Sequence, residues 1–122
     1  MSFADDIKKF ADKTNKNAEE VATVFIIKLF TGIIYDTRVD TGRLRGNWQC
    51  STGTPILTPI DRLDPNGTST KLEAERTVDG LKVNYLTNNL PYAKRWNDED
   101  GYIETNLART RRNLREAVRD VV

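Results

Sequence analysis

The densest cluster of chemically capable residues in this chain is "NDEDGYIE", residues 97–104, which gathers Asp98, Glu99, Asp100 and Glu104. Carboxylates this close could hold calcium, whose binding loops need oxygen ligands at fixed positions around one glycine. Aligning Gly101 with that glycine puts Trp96 at the first ligand position and Leu107 at the last, and neither can coordinate. The segment therefore reads as a solvated acidic turn ahead of a helix, with Asp100 or Glu104 suited to that helix's positive end. Nucleophilic catalysis lacks its base, because the chain has no histidine to activate Ser51 or Cys50. No glycine-rich phosphate loop is present, and no spacing suggests the paired carboxylates of a glycosidase. The expectation is a protein without catalytic residues, metal or cofactor, and not an enzyme.

A second charged group lies near the C-terminus. Arg111, Arg112, Arg115 and Arg119 share one flank of a helical pattern whose apolar stripe is Ile103, Leu107, Leu114, Ala117, Val118 and Val121. Such a flank can be simply solvated, can pair with an acidic neighbour such as "NDED" on another copy, or can meet phosphates. Whole-chain charge gives no global field, with 19 basic against 18 acidic residues. The isoelectric point near 7.8 is below the value of about 9 typical of nucleic-acid-binding domains.

These groups must be positioned by few elements. A chain of 122 residues, 38% of them hydrophobic, is one domain with one core. A single cysteine excludes an intrachain disulfide, and no basic segment followed by an apolar one opens the chain, which predicts synthesis in the cytoplasm. Phe3, Ile7, Phe10 and Ala11 recur at helical spacing behind Ser2. Asn17 can cap a second helix, with Glu20 three residues on, that runs to about Tyr35. One continuous rod would be about 50 Å long, against a radius of gyration of roughly 14 Å for this chain length. Either the chain bends near Asn15, or residues 1–16 project from the domain.

The apolar positions of the second helix cover more than half its circumference, wider than the stripe a surface helix needs. Two arrangements satisfy that width: a central helix wrapped by its own sheet, or a flank of Ile27, Phe30 and Ile34 facing another subunit. The run from Val21 to Ile34 contains Lys28 and is shorter than the roughly 20 apolar residues of a membrane span. "NWQCSTG" has strand character. Residues 55–70, punctuated by Pro55, Pro59, Pro65 and Asn66-Gly67, read as a mobile loop. A short helix over 69–77 follows, then a half-buried strand in "GLKVNYLTNN" with Leu81, Val83 and Tyr85 on one face.

The stretch "VDTGRLRGNWQC", residues 39–50, fits neither a helix face nor an alternating strand. Val39 closes the second helix, Asp40 and Thr41 can accept from free amides, and Gly42 takes the backbone angles of a reversal. Arg43 and Arg45 then flank a buried Leu44, and Gly46 releases the chain into a strand anchored by Trp48. This is a structural corner.

"VDTGRLRGNWQ", followed by "YLTNNLPYAKRW" and a terminal amphipathic helix, resembles the tail-completion and neck (head–tail joining) proteins of tailed bacteriophages, the lambda tail protein Z type. The positions that carry the resemblance are Asp40, Thr41, Gly42, Arg43, Leu44, Arg45, Trp48, Asn88, Pro91, Tyr92 and Ala93. The resemblance implies an α+β fold, a small antiparallel sheet packed by a long N-terminal helix and a C-terminal helix. It implies a virion protein at the head–tail junction, made in the host cytoplasm. It would form a homo-oligomeric ring, sixfold in that family, and dock to head-completion or connector proteins and to tail terminator or tail-tube proteins. DNA contact is allowed but not required, and no membrane is involved. The candidate interface is Ile27, Phe30 and Ile34, the acids Asp98, Glu99 and Asp100, and the flank Arg111, Arg112, Arg115 and Arg119. The alternative is a small nucleic-acid-binding module built on that arginine flank.

Overall fold

The computed structural model describes residues 2–120. The element order is α1 (Phe3–Thr14), α2 (Ala18–Asp36), α3 (Arg43–Gly46), β1 (Trp48–Thr52), α4 (Thr68–Thr77), β2 (Asn84–Asn88), α5 (Ala93–Asp100) and α6 (Tyr102–Asp120). The fold is α+β, with a two-stranded antiparallel sheet packed against helices. No helix among the described residues is long and apolar enough to cross a membrane.

α1 starts where the Ser2 hydroxyl accepts from the Asp5 amide at 3.1 Å, and it stops at Asn15, whose φ of 57° is left-handed. Asparagine tolerates that region better than most residues. Asn17 then caps α2 by accepting from the Glu19 amide at 2.8 Å. The reversal folds α1 back, so that Ile7 and Ala11 pack with Val21, Phe25, Leu114 and Val118. α1 therefore does not project from the domain. Swinging α1 out would expose that apolar face to water.

α2 serves two clusters. Its first half meets α1 and α6. Its second half carries Phe30, Ile33 and Ile34 into a cluster with Trp48, Cys50, Ala74, Val78 and Tyr102, against which Ile27 packs half-buried. Ile34 is 0% exposed. This corrects the reading that gives Ile27, Phe30 and Ile34 to another subunit: the width of the apolar arc is consumed within the chain. The α2–α6 crossing is close, since a Cβ on Gly32 would collide with the side chain of Asn106. Asn106 instead donates to Asp36 at 2.9 Å, and Arg109 lies 3.6 Å from the same carboxylate.

β1 and β2 pair from Trp48 opposite Asn88 to Thr52 opposite Asn84. The strand expected from Leu81 begins only at Asn84. Asp79 and Asn84 exchange hydrogen bonds, the Asp79 amide donating to Asn84 Oδ1 and Asn84 Nδ2 to the Asp79 carbonyl. The Leu81 amide also donates to the Asp79 carboxylate. A side-chain-closed turn thus outcompetes apolar alternation here, and it leaves Leu81 and Val83 69% and 63% exposed.

The loop before α4 holds polar anchors that its composition does not announce. Gln49 Nε2 donates to the Thr58 carbonyl, the Ile60 amide to Asn47 Oδ1, and Asn89 Nδ2 to the Ile56 carbonyl. Arg62 covers the outer edge of β1, donating to the Gly46 and Trp48 carbonyls at 2.6 and 2.8 Å. It also pairs with Glu73, which accepts from the Cys50 amide. The expectation of mobility over 55–70 rested on scarce apolar material, and these anchors need none.

Candidate assembly surface

The two motifs that carry the resemblance are built into one corner. The Arg43 amide donates to Thr41 Oγ1 at 3.2 Å, and Gly42, at φ 91°, opens α3. The Gly42 carbonyl accepts from the Gly46 and Asp64 amides. A Cβ at Gly42 would strike Pro65, so the close approach as well as the angle demands glycine. α2 ends at Asp36, close to the expected Tyr35, with Thr37 as its cap; Val39 and Asp40 therefore do not close it, and Val39 stands 42% exposed beside the corner.

Arg45 does not present its charge outward. Its guanidinium donates to the carbonyls of Tyr35 at 2.7 Å and Thr37 at 3.0 Å, two at the C-terminal end of α2 that have no helical partner, and to that of Pro65 in the loop before α4. Trp48 is buried, its ring nitrogen donating to Thr37 Oγ1 at 2.8 Å and its ring edge-on to Tyr102. Asn47 is fully buried and joins the Arg43 carbonyl to the Ile60 amide.

The second motif docks on the first. Asn88, opposite Trp48 in the sheet, donates to the Leu44 carbonyl at 2.8 Å. Leu44, Leu90 and Ala93 form a small buried cluster on which Trp96 packs. Pro91 and Tyr92 remain exposed. Between the motifs lies an open cleft of about 380 Å³ lined by Arg38, Val39, Asp40, Thr41, Leu44, Tyr92 and Trp96.

Arg38 and Trp96, which the sequence reading did not single out, organise this cleft. The Arg38 guanidinium stacks over the Trp96 ring, 3.8 Å from its centroid, a cation–π contact. It also makes a bidentate pair with Asp100 at 2.8 and 2.7 Å and reaches Glu99 at 3.5 Å. The hydrogen bond from Arg38 holds the Asp100 carboxyl below its ordinary value, and the same bond raises the Arg38 pKa. The sequence signal was present but slight: Arg38 adjoins the first motif and Trp96 ends the second.

The acids are solvated as expected, but they lie on a helix and not in a turn, and they are paired within the chain. Asp98, Glu99 and Asp100 form the C-terminal turn of α5, with Asp98 held by Lys94 at 2.7 Å and Asp100 by Arg38. Glu104 accepts from Asn97, whose other side-chain atom accepts from the Ile103 amide and so joins α5 to α6. The arginine flank is likewise partly used: Arg115 lies 3.7 Å from the buried Asp6, and Arg119 3.3 Å from Asp120. Arg111 and Arg112 are exposed and form no ion pair among the described residues. Pairing of the whole flank with "NDED" on another copy is corrected to this extent: most of those acids are already neutralised within the chain.

Two further ionisable groups sit in the core. Burial, reinforced by Glu73, pushes the Cys50 thiol up to about 11, so it stays protonated at neutral pH. Burial pushes Tyr102 up to about 12, with Asp100 adding to the effect.

No family model, curated protein or solved structure matches the chain.

Proposed function

We propose that the chain is a structural protein of the head–tail junction of a tailed bacteriophage, of the tail-completion or neck type. It acts by ring assembly and by docking to connector or tail-tube proteins. The observation that carries this reading is the convergence of the two resembling motifs. Residues 39–48 and 88–96 are distant in sequence, yet they meet through the Asn88–Leu44 hydrogen bond and enclose the Val39–Tyr92–Trp96 cleft. Aromatic residues and arginine concentrated on an exposed cleft are the composition of binding hot spots. The chemistry supports a binding role over catalysis, since the core thiol is held protonated and the chain has no histidine.

The test is antibody labelling of phage particles in the electron microscope. Label confined to the junction of head and tail is the expected result, and particles free of the protein would overturn the reading. The nucleic-acid alternative rests on Arg111 and Arg112, exposed beside each other on α6. It would be favoured by retention on duplex DNA at physiological salt with a steep salt dependence.

A further inference from the structure

We propose that copies of this chain associate head to tail, the Leu81–Val83 turn of one copy entering the Val39–Tyr92–Trp96 cleft of the next. This rests on the assembly reading for its setting and names the contact that reading leaves open. The turn is a rigid knob. The reciprocal Asp79–Asn84 hydrogen bonds, the Leu81 amide on Asp79 and the Asn84 donation to the Lys82 carbonyl close it from within. The Gly80 amide, donating to Thr23 Oγ1 at 2.9 Å, fixes it to α2. Two aliphatic side chains are thus held in water on a preorganised support, which lowers the ordering cost of burying them against a partner.

Knob and cleft lie at opposite ends of α2. The knob is tied to the first turns of α2 through Thr23, while the cleft begins at Arg38, just past the end of that helix. At 1.5 Å per residue the separation along α2 is roughly 20 Å. β2 runs from the one to the other, from Asn84 beside the knob to Asn88 beside Leu44. A single copy cannot bring them together, whereas a second copy can, and unlike surfaces at opposite ends make a heterologous contact that propagates or closes into a ring.

Charge selects the same partner. Asp40 on the cleft wall is exposed and has no cation at ion-pair distance among the described residues. Lys82, between the two aliphatics, is 61% exposed and only 4.0 Å from Asp79. Docking would bring that ammonium to the unpaired carboxylate. Arg38 is occupied by Asp100 and would not repel it.

The experiment is sedimentation velocity on the full chain across concentration, with circular dichroism as the folding control. The wild type should gain mass with concentration. A knob variant, Leu81→Asn with Val83→Thr, and a cleft variant, Tyr92→Ser, should each stay folded and monomeric. Mixing the two variants should give a dimer that grows no further, because one competent knob meets one competent cleft. Asp40→Lys should weaken association about two- to fivefold, and Lys82→Asp in the same chain should restore it. A wild type monomeric to about 1 mM, the weak end of specific association, would overturn the contact. So would a knob variant that associates like the wild type, or a silent mixture. None of these outcomes bears on the labelling of virions, so the contact and the phage reading fail separately.

Discussion

At the scale of single residues, Trp48 ties three things together: the start of β1, the cap of α2 through Thr37, and the edge of Tyr102. Trp48→Ala should cost about 3–5 kcal/mol, as other large aromatic truncations in cores do, measured by denaturant unfolding. Trp48→Phe should cost less but orphan Thr37 Oγ1 as an acceptor. Acid stability belongs to two carboxylates. Burial pushes Asp64 up, but the Thr70 amide and hydroxyl and the charge of Arg62 outweigh it and leave its pKa lowered, as Arg38 does for Asp100. Both bind protons more weakly folded than unfolded, so their stabilisation is full above the unfolded value of about 3.9 and is lost as pH falls through the lower folded values. Asp64→Asn should lower stability at pH 7 and flatten the acid limb of a stability–pH curve. At the alkaline end the sign reverses for Cys50. Its folded value of about 11 exceeds the unfolded one, so stability is full below about pH 8.5 and declines as pH rises toward 11. Cys50→Ala should remove part of that decline.

Among the elements, α2 shows what a helical wheel can and cannot say. Its apolar arc was legible as too wide for one surface stripe, but a wheel has no information on whether the excess meets α4 and β1 or another chain. Ile34, at 0% exposure, decides for the core. Ile34→Glu should therefore leave an unfolded chain by circular dichroism, not a folded one deficient in assembly, whereas the polar exchanges at Leu81 and Val83 should be silent in folding. α5 was hidden for a different reason. Three acids at a helix C-terminus oppose its dipole, so residues 97–100 read as a turn; the compensating Arg38 comes from 62 positions away and has no local signature. In the loop before α4 the composition shows the scarcity of apolar material but not the polar anchors. In amide exchange, Ile60 and Thr70, whose amides have side-chain acceptors, should exchange more slowly than Leu57 and Leu63, which stand exposed in the same loop. Asn47→Ala, which removes the acceptor of the Ile60 amide, should erase the difference there.

For the whole molecule, the α+β class, the caps at Ser2 and Asn17, the β1 strand and the last helix were legible because each is announced locally, by a capping residue or a period. The corner was legible as a corner through Gly42 and Trp48. Its meeting with residues 88–96 was not, because nothing in either segment encodes the Asn88–Leu44 bond. Two clusters strung along α2, one with α1 and α6 and one with the sheet and α4, also set an expectation for unfolding. Ala11→Gly, which weakens only the first cluster, should lower the protection of α1 amides before those of β1.

The chain's two tryptophans sit in opposite circumstances: Trp48 sealed beside Tyr102, Trp96 half-exposed under the Arg38 guanidinium. The protein thereby carries two optical reporters of different events. Emission from Trp48 should be blue-shifted and respond only to unfolding. Emission from Trp96 should respond to whatever fills the cleft and be quenched differently when it is full. A Trp48→Phe chain would isolate the second signal, turning occupancy of the corner into a titration read by fluorescence without a label.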